Sequence, residues 1–275
     1  DNLQPIGSFK IRGATNTILQ ADPAALREGV WTASAGNMAQ GVAWCARALN
    51  IPCRVVVPDH APAAKTEAVE RLGASIVRVP FAEWWEIMVT HEWTGARGVF
   101  IHPVSNPDVI AGNGTIGLEI LEDLPDVARV IVPYGGGGLS CGIASAVGSI
   151  TPSPRVYAAE VETSAAFAAA LAAGEPVTTT YTPSFVDGIG SSKVLQEMWP
   201  LVQRLLSGSI VVSLRQVADA IRLLAQRGHV VAEGAGAAAL AAFQVSQQGG
   251  PTVCVVSGGN IDERKLVRIF NGEIP

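Results

Sequence analysis

Two hydrophobic patterns alternate along the chain. Short runs of apolar and β-branched residues occur at 53–57, 75–79, 99–102, 130–133, 156–160, 209–213 and 252–257, and longer stretches with helical character lie between them. Helices are predicted at 37–49, 64–72, 139–148, 192–206, 214–226, 234–247 and 262–271. Several have a recognisable start: a Ser/Gly/Asn turn before the first, a Pro-rich turn before the second and a glycine run directly before the third. Strands separated by helices of about 10 to 15 residues predict an α/β fold, a mainly parallel sheet with helices on both faces. No fixed-period repeat or low-complexity linker interrupts the alternation.

Composition narrows the function classes. At 275 residues the chain can bury one large core or two modest ones, and its 48% hydrophobic content suits buried parallel strands. Only 16% of residues are charged, against about 25% in average usage, so part of the surface is expected to be covered by another subunit. The net charge of −5 and the lack of a Lys/Arg block remove the electrostatic footprint of a nucleic-acid binder. No apolar run approaches the roughly 20 residues of a membrane span, and the alanine-rich stretches 165–173 and 235–243 are too short, so a soluble protein is expected. Cys45, Cys53, Cys141 and Cys254 show neither metal-site nor CxxC spacing, which predicts buried free thiols in a reducing cytoplasm. His60, His91, His102 and His229 show no ligand spacing either.

The candidate chemistry starts at Lys10, one of four lysines in a chain with 19 basic residues. Arginine cannot condense with an aldehyde, whereas a lysine amine whose pKa is lowered in a dry pocket can. A second signal is the run Gly135, Gly136, Gly137, Gly138 ahead of Leu139. It lets backbone N–H groups approach a phosphate, and the helix that follows turns its positive end toward the anion. The run lacks the Gly-Lys-Ser/Thr ending of a nucleotide P-loop. A third is Ser34-Ala35-Gly36-Asn37 at the start of a predicted helix, where a side-chain cap and an anion site have the same requirements.

These segments occur in order with Gly7-Ser8-Phe9-Lys10 and Val256-Ser257-Gly258-Gly259-Asn260. Together they resemble the fold type II, tryptophan-synthase-β-like pyridoxal phosphate enzymes, and within them the threonine/serine dehydratase and serine racemase group. The resemblance implies two domains: a large cofactor-binding one of residues 1–27 plus 126–275, and a small movable α/β one of residues 28–125. It also implies pyridoxal 5'-phosphate as cofactor, a homodimer or homotetramer, residues ahead of Asp1, and no separate regulatory domain after Pro275.

By resemblance Lys10 is the Schiff-base lysine, whose freed amine also takes the Cα proton. Phe9 packs on a cofactor face, Asn37 bonds the phenolic oxygen, Gly135 to Leu139 hold the phosphate and Ser257 faces the pyridine nitrogen. Ser34, Ala35, Gly36 and Asn37 grip the substrate carboxylate. A hydroxyl at Ser257 cannot keep that nitrogen protonated as a carboxylate would, which favours elimination over transamination. The racemases that the chain resembles place serine where Ala35 stands, and alanine cannot exchange a proton. The expected reaction is therefore dehydration and deamination of an L-serine-like or L-threonine-like amino acid to a 2-oxo acid and ammonia, with racemisation as the alternative.

Met38 replaces a common histidine, and Val104 a common asparagine or aromatic, which leaves the substrate side chain open. Glu160 resembles the carboxylate of a monovalent cation site, although Ala165 and Ala166 stand where its acidic partner is expected. Trp84, Trp85 and Trp93 are expected in a core or an interface. Two readings compete. Residues 234–239 fit the G-x-G-x-x-A dinucleotide pattern of a nicotinamide-dependent oxidoreductase, a pattern that close helix packing explains equally well. The other is a pyridoxal phosphate carrier without catalysis.

Overall fold

Two four-stranded sheets, parallel at every pairing, organise the chain in a computed structural model that describes residues 1–246 and 249–275. Each sheet belongs to one compact unit, the first formed by Lys10–Asn113 and the second by Asp1–Phe9 with Gly114–Pro275.

The first unit runs α1 (Lys10–Gln20), α2 (Pro23–Leu26), β1 (Val30–Ala33), α3 (Asn37–Ala48), β2 (Cys53–Pro58), α4 (Ala63–Glu70), β3 (Ser75–Val79), α5 (Phe81–Thr90), β4 (Val99–Phe100) and α6 (Pro107–Asp123), with the unit border inside α6. Its strand order is β3-β2-β1-β4. β1 is buried at all four positions, as an inner strand covered on both faces must be. Trp31 stacks on Phe100 with ring centroids 4.1 Å apart, and Trp84 and Trp93 pack against the same cluster. Trp85 instead lies at the surface. α1 joins this unit because it packs on α3. A Cβ at Gly41 would come within 3.1 Å of the Lys10 carbonyl oxygen, and Thr15 Oγ1 lies 3.0 Å from Cys45 Sγ. The border therefore falls ahead of α1 rather than near residue 28.

The second unit contains β5 (Arg129–Pro133), α7 (Gly138–Val147), β6 (Arg155–Val161), α8 (Ala166–Ala173), α9 (Trp199–Leu205), β7 (Gly208–Val212), α10 (Leu214–Leu223), α11 (Gly234–Val245), β8 (Thr252–Cys254) and α12 (Glu263–Phe270), in the strand order β7-β6-β5-β8. β5 is buried at every position, and the small residues of α11 pack on Ile131, Ala159 and Val212 of the sheet. Ser213 and Gln216 form a capping box at the start of α10.

Several elements differ from expectation. β8 stops at Cys254, and the chain turns so that Gly258 can bridge to Ser8. β4 has two residues, because His102 turns its side chain onto the loop that follows. α9 begins only at Trp199, with Pro200 in its first turn, a position proline suits. α11 ends at Val245, and Gln247, its expected end, lies outside the described residues. Among the described residues no helix is long and apolar enough to cross a membrane.

Candidate cofactor and substrate site

In a parallel sheet, ligands gather at the carboxyl edge, between neighbouring strands whose connections leave in opposite directions. In the second unit that point lies between β5 and β8, where Val255 N–H donates to the Ile131 carbonyl at 3.0 Å. β5 runs out through Tyr134 into Gly135, Gly136, Gly137 and Gly138, and β8 runs out into Ser257. The sequence-predicted phosphate loop and pyridine partner thus leave adjacent strands at one edge.

Gly137 caps α7 in the left-handed region, φ 94°, and as a glycine supplies no side-chain cap. A side chain there would also crowd Val202, whose Cγ1 lies 2.9 Å from a built Cβ. The first N–H groups of any α-helix point out of its start, and the helix dipole adds to their attraction for an anion. Leu139 is buried behind the loop, and Tyr134 stacks on Phe167 beneath it, centroids 4.7 Å apart. Burial raises the Tyr134 phenol well above its ordinary pKa, so it stays protonated.

Ser257 is 2% exposed, and its carbonyl accepts from Phe9 N–H at 2.9 Å. The Ser8–Gly258 bridge fixes the same pair of segments one residue further along. Phe9 and Ser257 are thereby brought together, and Lys10 follows directly in the chain. The sequence reading missed Glu233, whose Oε1 lies 2.5 Å from where a Cβ on Gly258 would be and whose N–H donates to the Gly258 carbonyl at 3.0 Å. Its position before the helix of small residues hid it.

The first unit repeats the arrangement. Its switch point lies between β1 and β4. β1 runs out into Ser34, Ala35, Gly36 and Asn37, and β4 runs out through Ile101 and His102 to Pro103. Ser34 Oγ accepts from Gly36 N–H at 3.2 Å, which leaves Gly36 as the N-cap of α3 with no side-chain cap. A Cβ on Gly36 would meet nothing within 4 Å, so open space faces the start of α3. Met38 is buried in the core of this unit.

Lys10 opens α1, and its Nζ donates to the Pro103 carbonyl at 2.7 Å. Burial lowers its pKa from 10.5 to about 8, because removing water penalises the ammonium. Such an amine is available for condensation with an aldehyde near neutral pH. In the first unit the desolvated lysine and the open space at Gly36 suit an aldehyde and a carboxylate, and in the second the glycine loop before α7 suits a phosphate.

Other candidates have structural roles. Glu160 accepts from Phe167 N–H and Ala168 N–H, each at 2.8 Å, and from the Ser209 hydroxyl at 2.5 Å. Its two oxygens are thus committed to the start of α8, which leaves little of the carboxylate for an ion. Burial raises its pKa, against which these three donors act. All four thiols are free, and burial raises Cys53 and Cys141 to about 12 and Cys254 to about 11. Residues 234–239 are all buried, and α11 follows a π turn, Leu224–Gly228, and a coil instead of the strand that a dinucleotide fingerprint requires.

A family model described as Pyridoxal-phosphate dependent enzyme matches residues 1–258. The L-threonine ammonia-lyase of Thermotoga maritima is 42% identical over 98% of this chain and 68% of its own length. The catabolic L-threonine dehydratase TdcB of Escherichia coli strain K12 is 41% identical over 98% of this chain and 84% of its own. Among solved structures, maize serine racemase superposes with a TM-score of 0.87 at 35% identity, covering 99% of this chain and 85% of that one.

Proposed function

Because the chain belongs to the pyridoxal-phosphate dependent enzymes, we propose that it is an ammonia-lyase acting on a β-hydroxy amino acid of the L-serine or L-threonine kind. The substrate loses water, and the released enamine tautomerises and hydrolyses to a 2-oxo acid and ammonia. The observation that carries this reading is the desolvated Lys10 at the start of α1, in a chain similar to an L-threonine ammonia-lyase and an L-threonine dehydratase over nearly all of its length.

When bound, pyridoxal phosphate supplies the electron-withdrawing ring that lets a Cα proton leave. Lys10 Nζ would hold the cofactor through its aldehyde, and the same amine would take the Cα proton. Gly135, Gly136, Gly137 and Gly138, with the first N–H groups of α7, hold the phosphate. The start of α3 holds the substrate carboxylate, with Ser34, Gly36 and Asn37 around it. Phe9 would lie against the ring, and Asn37 would donate to the phenolic oxygen. Ser257 offers the pyridine nitrogen a hydroxyl, which does not enforce protonation. Ala35 presents no proton donor or acceptor on its side chain, which supports lyase over racemase activity.

A homodimer or homotetramer in the cytoplasm fits the low charge content and the four free thiols, three of them buried. A monovalent cation remains part of the proposal only at a site other than the committed oxygens of Glu160.

The test is a panel of L-serine, L-threonine, phenylserine and hydroxyaspartate, with 2-oxo acid detection and chiral analysis of the remaining substrate. Visible absorption of the bound cofactor, fixation on Lys10 by borohydride and loss of turnover by at least about a thousandfold in Lys10→Ala are expected. Retained turnover in that variant, or D-amino acid as the main product, would overturn the reading.

A further inference from the structure

The Lys10 amine is held by a carbonyl whose own position needs an explanation. Pro103 sits in the loop that links β4 to α6, and its carbonyl accepts from Lys10 Nζ at 2.7 Å. That loop is fixed from within by the residue before it. His102 is 2% exposed. Its Nδ1 lies 2.8 Å from Ser105 N, 2.7 Å from Ser105 Oγ and 3.3 Å from Val104 N. Its Nε2 lies 3.1 Å from the Met88 carbonyl oxygen in α5.

The partners decide the tautomer. A carbonyl oxygen can only accept, so Nε2 carries the proton; two backbone N–H groups can only donate, so Nδ1 presents its lone pair. The Ser105 hydroxyl must then donate as well. A neutral imidazole thus performs for residues 103–105 the task an Asn or Asp side chain performs in an Asx turn, accepting N–H groups two and three residues ahead. It also ties the loop to α5, and its ring stacks on His91 with centroids 4.4 Å apart. Asn106 caps α6 in the same way, its Oδ1 accepting from Asp108 N–H at 2.8 Å and Val109 N–H at 3.0 Å. Pro103 therefore lies between two local clamps.

We infer that His102 is a positioning residue: by holding residues 103–105 it fixes the Pro103 carbonyl as the acceptor for the Lys10 amine, and so sets where that amine's lone pair points. The inference rests on Lys10 being the residue that bonds the cofactor and moves the Cα proton. An N–H committed to Pro103 turns the remaining valences of Nζ away from it, and small misalignments of a reacting group carry large rate penalties.

The experiment compares His102→Phe, which keeps a ring against His91 but removes both nitrogens, with His102→Asn, whose Oδ1 restores the acceptor for residues 104 and 105. In the holoenzyme, His102→Phe is expected to lower kcat at least about tenfold with KM changed less than about threefold, and His102→Asn to recover most of the loss. The second readout does not depend on turnover. Cofactor-free protein is reductively methylated with carbon-13 formaldehyde, and its four lysines, Lys10, Lys65, Lys193 and Lys265, are titrated by NMR. In His102→Phe the Lys10 midpoint should move by more than half a pH unit while the other three stay in place; in His102→Asn it should stay near that of the wild type.

Unchanged Lys10 titration and kcat in His102→Phe would overturn the inference, as would equal losses of kcat in the Phe and Asn variants. If His102→Phe fails to fold, Ser105→Ala removes one donor to Nδ1 and should move the same two readouts less far in the same direction; no movement would count against the inference. Turnover retained in Lys10→Ala would instead defeat the proposed function, while the titration would still report whether His102 acts on Lys10.

Discussion

Lys10 places an amine where water is scarce, and folding bears the cost of that placement. Below about pH 8 the folded and unfolded chains both carry the proton, so the desolvation penalty is fully present. Between about 8 and 10.5 only the unfolded chain holds it, and stability rises with pH across that window. In cofactor-free protein, Lys10→Met should therefore raise the unfolding free energy at pH 7, by no more than about 3 kcal/mol. The gain should shrink to nothing by about pH 10.5. Melting curves from pH 7 to 10.5 check this, and a gain constant over the range would assign it to packing instead of charge. Lys10, Gly135 to Gly138 and Ser257 were legible because their chemistry needs particular side chains, or none, at particular places. Pro103 and His102 were not: a backbone carbonyl has no signature in the sequence, and a buried histidine clamping a loop resembles any other histidine.

Helices and strands were legible where burial and capping agree with local pattern. The capping box at Ser213 starts α10 where the sequence predicts it. β1 escaped notice because four residues, Val30-Trp31-Thr32-Ala33, contain too little pattern, although both strands that pair with it, β2 and β4, fall on runs the sequence marks. α8 also escaped. Among its alanines no side chain caps the first turn, and the donors reach instead to Glu160 on β6. That bond crosses from strand to helix and is invisible to a local reading. Glu160→Ala should lower stability by about 2 to 4 kcal/mol, since two backbone N–H groups and a hydroxyl lose a buried acceptor. Urea denaturation should show a lower midpoint at an unchanged slope. If Glu160 held a monovalent cation instead, wild-type turnover would depend on potassium or sodium and the variant would lose that dependence.

At the scale of the whole chain, the parallel α/β character followed from the alternation of strands and helices, but the division into units did not. The borders fall inside α6 and directly ahead of Lys10, with no change of composition at either place. What assigns α1 to the first unit is its packing on α3, a contact distant in sequence. Burial of the thiols is a property of both units, and three of the four are nearly inaccessible. At pH 8 the native protein should release less than one equivalent to an aromatic disulfide reagent in the time urea-unfolded protein releases four; rapid release of two or more would contradict this packing. The glycine N-caps of α3 and α7 have a further result. The anions proposed for them bind the folded chain and not the unfolded one, so the loaded chain gains free energy by mass action, and its melting temperature should climb with cofactor concentration past simple saturation of the site. A melting temperature quoted for this protein is thus a statement about occupancy as much as about sequence.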